Sequence, residues 1–347
     1  MTMAEEFNPR ANSLNALRLV FAVAVIVSHA WPLGGFGNDP EFGGLTLGTW
    51  AVAGFFVISG YLIASSRRGS DLGSFLTRRF LRIFPGLIVC LITIVVCFVP
   101  IAAIREPGKF PPSFGAITSF LLGRGLLLSN NYGIQGTLTH VPYPNTWDGS
   151  LWTLSYEVLW YLLIGLFLTL AFIRRNPLVT ILAFGAIAAA HIGIVESGSL
   201  GQGRFPMLVD LGTYFLAGAT LQAFAARIPV RTSLAVAAAA TLLVGSLLGK
   251  ATLIAALPLA YLCFWLGIKL PLRRIGRVND ISYGTYIYAF PVQQLIAVFG
   301  GAALGVAAYI GLSVFLTLPI AALSWVAIEQ PALRRRSRRR PSSGVVA

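Results

Sequence analysis

The sequence predicts an all-α, polytopic membrane protein of about ten transmembrane helices with both termini cytoplasmic. Three observations carry this prediction. Of 347 residues, 56% are hydrophobic and only 11% charged, with a mean hydropathy of +0.77; an ordinary soluble domain is about 25% charged. The apolar residues fall into runs of about 20, the length that crosses the roughly 30 Å hydrocarbon core as a helix. The net charge of +14 comes from basic residues in short stretches between these runs. That is the pattern of membrane topology and not of an anionic polymer partner, so no nucleic acid is expected.

The runs lie at roughly 14–33, 46–66, 85–104, 150–172, 177–196, 206–226, 232–249, 251–268, 281–299 and 303–327. No small-x-small cleavage site follows the first run at the right place, so it is expected to stay as a helix. The second to tenth runs follow from the same hydropathy rule. An eleventh stretch, "FGAITSFLLGRGLLLSNN" at 114–131, is short, glycine-broken and carries Arg124. Basic residues decide whether it crosses. If it does not, 21 of the 26 lysines and arginines fall on the cytoplasmic side, leaving Arg105, Lys109, Arg124, Arg204 and Lys250 outside. If it does, "RR" at 174–175 and the tail "RRRSRRR" are placed outside. The positive-inside rule selects the first arrangement. It gives a membrane domain over 1–330 with a long external segment at about 105–149, and a basic, disordered tail over 331–347 drawn to anionic headgroups of the membrane lipid. Cys90, Cys97 and Cys263 sit inside apolar runs without metal-ligand spacing, and no metal site is expected.

A charge at mid-bilayer costs roughly 2.5–3.5 kcal/mol even on lenient scales, so ionisable residues inside the runs are functional candidates. Arg18 lies in the inner half of the first helix and His29 toward its outer end, about 16 Å away at 1.5 Å per residue. Glu157 lies about two turns into the fourth helix, Asp210 near the start of the sixth and His191 near the end of the fifth. His29 and Glu157 fall in the same outer half. A histidine oriented by a carboxylate is a general base able to deprotonate a hydroxyl. The alternative is that both serve helix packing. Arg78, Arg79 and Arg82 cluster before the third run, Arg79 and Arg82 on one helix face. Such a fork suits a phosphate-rich ligand, although inner loops are basic in any case.

Six motifs in order, "NSLNALRLVFAVAVIVSHAW", "GFFVISGYLI", "FLTRRFLRIFP", "GSLWTLSYEVLWYLL", "DISYGTYIYAFPVQQ" and "AIEQPALRR", resemble the acyltransferase family 3 of integral membrane O-acyltransferases, which includes bacterial O-antigen and exopolysaccharide acetyltransferases. The resemblance covers nearly the whole chain. It implies that His29 is the essential base. It also implies that Arg18 supports the site or binds the donor, that Arg79 and Arg82, with Arg78 beside them, handle acyl-CoA, and that Thr153 and Glu157 fill the family's serine and glutamate positions. Trp152, Ser155, Tyr156, Tyr283 and Tyr286 are expected to support the site. Two departures are visible: threonine stands at 153 in the serine place, and Ala289 stands where many members carry histidine.

The function implied is transfer of an acyl group, acetyl foremost, from cytoplasmic acyl-CoA as co-substrate to a hydroxyl of an envelope carbohydrate, glycolipid or secreted glycoside, in a bacterial-type inner (plasma) membrane. No permanently bound cofactor is expected. The external segment, with Tyr143, Trp147 and Asp148, and Asp210 nearby, has the aromatic and polar mixture of a sugar site; it also suits a structural plug. A membrane transporter of a polar or lipid-linked metabolite is the rival reading. The absence of visible repeats and of paired broken spans speaks against it.

Overall fold

Lipid leaves backbone polar groups no water to bond, so apolar runs of this length close their hydrogen bonds within themselves as helices. The computed structural model describes residues 1–106, 110–127 and 131–337. In chain order its main helices are α1 (Leu14–Gly34), α2 (Leu47–Arg68), α3 (Leu72–Ala103), α4 (Phe114–Gly125), α5 (Trp152–Phe167), α6 (Pro177–Glu196), α7 (Arg204–Ala223), α8 (Thr232–Leu247), α9 (Ala256–Lys269), α10 (Ser282–Val298) and α11 (Val306–Ser324). Strands are limited, among the described residues, to a small antiparallel hairpin, β1 (Glu41–Phe42) and β2 (Leu45–Thr46), just before α2.

Each of the ten expected runs is helical. Among the described residues, six helical stretches are long and apolar enough to cross a membrane: α1, α2, α3, Gly149–Phe167 around α5, α6, and Val306–Arg334, which continues α11. Within the stretch at 114–131 the described residues form the 12-residue α4, about 18 Å long, shorter than the core is thick; residues 128–130 lie outside the described residues.

Two boundaries differ from the sequence reading. α3 begins at Leu72 and not at 85, because Asp71 caps it, its carboxylate accepting from the Ser74 amide at 2.7 Å. The resulting 32-residue helix is about 48 Å long, so Arg78, Arg79 and Arg82 sit within its first turns and not in a loop before it. At the other end of the chain, α11 continues through a π-helical turn at Trp325–Glu329 and a helix over Gln330–Ser337, so the first part of the expected tail is ordered. Lys109 and Arg338 to Arg340 lie outside the described residues.

The bundle core is α2 against α7 and α10 against α1 and α11. α2 and α7 touch backbone to backbone: a Cβ on Gly60 would stand 1.8 Å from the Phe215 carbonyl oxygen, and one on Gly218 2.0 Å from that of Val57. Such approach of small residues replaces the hydrophobic drive that lipid cannot supply. α10 is buried from Ser282 to Gln294. There Gln293 donates to the Ile26 carbonyl at 2.9 Å, and the Tyr309 hydroxyl donates to the Gln293 carbonyl at 2.6 Å. α6 is peripheral, with only Thr180 and His191 buried.

Candidate active site

α1 sets the axis of the site, with Arg18 near its start and His29 near its end. His29 opens into a cavity of about 290 Å³ bounded by α1, the loop leading to β1, the start of α2, Trp152, Tyr286 and the first half of α7. Its ring stands edge-on to Phe290, centroids 5.4 Å apart. Among the described residues its Nδ1 is buried without a hydrogen-bond partner, a costly state for an imidazole nitrogen unless a further group completes it.

Two carboxylates line the same cavity, Asp39 and Asp210. The Ser28 hydroxyl donates to Asp39 Oδ2 at 3.1 Å and accepts from the Gly48 amide at 2.9 Å, tying α1 to the start of α2. Asp39 Oδ1 is buried with no partner among the described residues. Burial pushes the Asp39 carboxyl up, the Ser28 hydrogen bond works against that shift, and Glu41 adds to it. Asp210 Oδ1 lies 3.1 Å from His191 Nε2, so α6 and α7 bring these two side chains together.

Glu157 lines a second, smaller crevice together with Arg18, Thr153, Tyr283 and Tyr286. Its Oε1 accepts from Ser59 at 3.2 Å and from the Tyr161 hydroxyl one turn along α5. The structure therefore surrounds Glu157 with hydroxyls, while His29 faces the other cavity. Val52 and Tyr286 border both. The Thr153 hydroxyl lies 2.6 Å from that of Tyr286, which donates to the Ser150 carbonyl at 2.7 Å.

At the other end of α1, the expected basic cluster is an ion network. Asp280 Oδ2 takes Arg82 at 2.6 Å and Arg18 at 3.1 Å, and Arg82 also reaches Glu329 at 3.6 Å. Burial works to raise the Asp280 carboxyl, but Arg82, Arg18 and the Ser282 hydrogen bonds outweigh it and hold the group below the usual carboxylate range. Arg82 also lies over the rings of Tyr283 and Trp325, 5.8 and 5.7 Å from their centroids. Arg79 approaches Ser66 at 3.4 Å, and its Nε is buried without a partner among the described residues. Arg78 donates to Ser70.

Sequence reasoning missed Asp39, Asp280 and Glu329. Asp280 falls one residue before the expected ninth run and Glu329 two beyond the tenth, so neither stood out as intramembrane charge. Asp39 looks like an ordinary loop acid. The available signal was that both Asp280 and Glu329 sit inside the quoted motifs.

The loop residues take several positions. Trp147 is fully buried, its indole donating to Thr137 at 2.8 Å. Asp148 caps the turn before α5, accepting from the Ser150 hydroxyl at 2.6 Å, and burial pushes its carboxyl up to about 8. Tyr143 packs edge-on to Phe290, centroids 5.9 Å apart, and its carbonyl accepts from Gln294 at 2.7 Å. Of the four residues expected to meet an acceptor, Asp210 lines the His29 cavity, whereas Trp147 and Asp148 are engaged in the loop's own packing. Ser155 and Tyr156 line a larger groove beside α5, and Trp152 borders both that groove and the His29 cavity. Ala289 is buried in the middle of α10.

Residues 11–327 match the family described as "Acyltransferase domain". The chain is 30% identical to an "O-acetyl transferase" of Shigella phage Sf6, over 94% of this chain and 98% of that protein. It is 27% identical to "Nodulation protein 10" of Rhizobium leguminosarum bv. viciae, over 96% of both. No solved structure matches it significantly. A histidine in a carboxylate-lined cavity, on a helix rooted in an arginine cluster, thus occurs in a chain matched along nearly its whole length, and the protein belongs to the acyltransferase family 3 of membrane acyltransferases.

Proposed function

We propose that the protein is an inner-membrane O-acetyltransferase that moves acetyl from cytoplasmic acetyl-CoA to a hydroxyl of an envelope carbohydrate, glycolipid or secreted glycoside. In this reading all ten apolar helices cross the bilayer, the termini are cytoplasmic, and the His29 cavity opens toward the outer side. The observation that carries it is the placement of His29 among polar groups at one end of α1 and of arginines at the other. Relatives of the whole chain bear acetyltransferase and nodulation names.

The CoA phosphates meet Arg78, Arg79 and Arg82 at the inner face, where guanidinium forks suit phosphate oxygens. The pantetheine arm rises along α1 past the Arg18 and Glu157 crevice. His29 accepts the proton of the acceptor hydroxyl as its oxygen attacks the thioester carbonyl. A C–O bond forms, the C–S bond breaks, and the proton passes to the leaving thiolate to give free CoA. Glu157 is a positioning residue: it holds α5 against α2 through Ser59, one turn from Thr153, whose hydroxyl meets that of Tyr286, a residue that borders both cavities.

The test is transfer of label from radiolabelled acetyl-CoA into envelope glycan by membranes containing the protein. His29→Ala at equal expression is expected to lower transfer at least about a hundredfold, the scale of general-base catalysis. Label that survives His29→Ala unchanged removes His29 from the chemistry; no label with the parent protein sinks the acetyl-transfer reading.

A further inference from the structure

Beside the His29 site lies a groove of about 680 Å³ between α5, the first turns of α7, and Leu126, Leu127 and Tyr132. That is the size of an ordinary small-ligand pocket, roughly 300–1,000 Å³. Its floor and walls are apolar, and Leu159, Leu162 and Phe205 are exposed within it. Nearer the loop end of the bundle the lining turns polar, with Tyr132, Tyr156 and Arg204.

The groove does not stand alone. Trp152, Gly201 and Met207 line both it and the cavity that holds His29, Asp39 and Asp210. From the groove to the adjoining cavity the lining residues therefore grade from leucine, through phenol and guanidinium, to carboxylate and imidazole. A water-soluble sugar would use only the last part. The order matches a molecule whose one end is apolar and whose other end carries hydroxyls.

We propose that groove and cavity form a single bipartite acceptor site that takes a glycan joined to a lipid and admits it sideways from the bilayer. This rests on the acyl-transfer reading and specifies its acceptor. The apolar chain lies along Leu159 and Leu162, and the sugar hydroxyls donate to Asp39 and Asp210, leaving one hydroxyl facing His29. A chain moving from lipid into the groove gains no hydrophobic free energy, since both surroundings are apolar. The groove thus orients the acceptor, and selection over ordinary lipid comes from hydrogen bonds of the head to the carboxylates, the stronger class of such bonds.

The test is photo-crosslinking in nanodiscs of phosphatidylethanolamine and phosphatidylglycerol. One probe is an alkyl glucoside with a mid-chain diazirine; the control is a phosphatidylcholine with a diazirine at equal depth. Peptide mapping is expected to find the glucoside on the Leu159 to Leu162 and Phe205 peptides at least about fivefold above the control. Asp39→Asn, which leaves the groove intact, and Leu159→Trp, a lipid-facing change that fills it, should each remove that excess. Equal labelling by both probes, or an excess that survives Asp39→Asn, overturns the proposal. Acetyl transfer measured on the same nanodiscs, with His29→Ala as control, separates the two readings. Groove labelling without any transfer sinks only the enzymatic reading, and transfer without a glucoside excess sinks only the bipartite acceptor site.

Discussion

Asp280 is the residue through which three parts of the chain meet, since Arg18 comes from α1, Arg82 from α3 and Asp280 itself precedes α10. Removing one partner of a buried ion pair strands the other charges, at a cost of about 3–5 kcal/mol. Asp280→Asn is therefore expected to lower the thermal stability of the purified protein more than Glu329→Gln does. Asp280 touches two guanidiniums at 2.6 and 3.1 Å, whereas Glu329 touches one at 3.6 Å. A thermal scan of both variants in one detergent reads the order; a larger loss with Glu329→Gln contradicts it. Asp148 gives a pH dependence of the opposite kind to that of a salt-bridged acid. Its carboxyl is raised by burial to about 8, so its protonated form belongs to the fold. The stability it contributes is complete below about pH 4, the unfolded value, and is lost as pH rises toward 8. Protease cleavage of the 131–148 loop should accordingly increase between pH 5 and pH 8.5, and Asp148→Asn should flatten that rise. His29 and Arg18 were legible as candidates because charge in an apolar run is visible locally. Asp39 was not, because its significance depends on Ser28 and His29 across a cavity.

The contact of α2 with α7 has the strictest geometry in the bundle. Both backbones approach where Gly60 and Gly218 lack a side chain, and a methyl group at Gly60 would overlap the Phe215 carbonyl oxygen. Overpacking typically costs about 1–3 kcal/mol, and here the obstacle is backbone and cannot swing away. Gly60→Ala and Gly218→Ala are each expected to reduce the folded yield and the melting temperature, read by fluorescence-detected size exclusion. Gly185→Ala on the peripheral α6, where nothing lies within 4 Å of the added carbon, should behave as the parent does. Element ends were less legible than element identities. The hydropathy of α3 falls off through "FLTRRFLRIF", so the apolar run starts at 85, yet the helix starts at its Asp71 cap and carries the arginines into the bundle. The charge of Arg82 is tolerated there because Asp280, Glu329 and two aromatic rings receive it.

Over the whole molecule, the basic residues dictate an orientation that can be checked directly. Fusion of green fluorescent protein at the C-terminus should fluoresce, as it does only on the cytoplasmic side. A Tyr143→Cys variant should react with an impermeant thiol reagent applied from outside. The opposite result at either site would invert the proposed topology and move the His29 cavity to the inner face. What the amino-acid order determined alone was the helical membrane class and the place of each apolar helix. Hydropathy and length are local sums, and lipid converts them into helices without help from partners. Only the tertiary structure decided which polar groups meet. Arg82 finds Asp280 and Glu329, Ser28 finds Asp39, and Glu157 finds Ser59 instead of His29. These pairings depend on helix rotation and packing between segments far apart in the chain, and hydropathy along the chain carries no record of rotation.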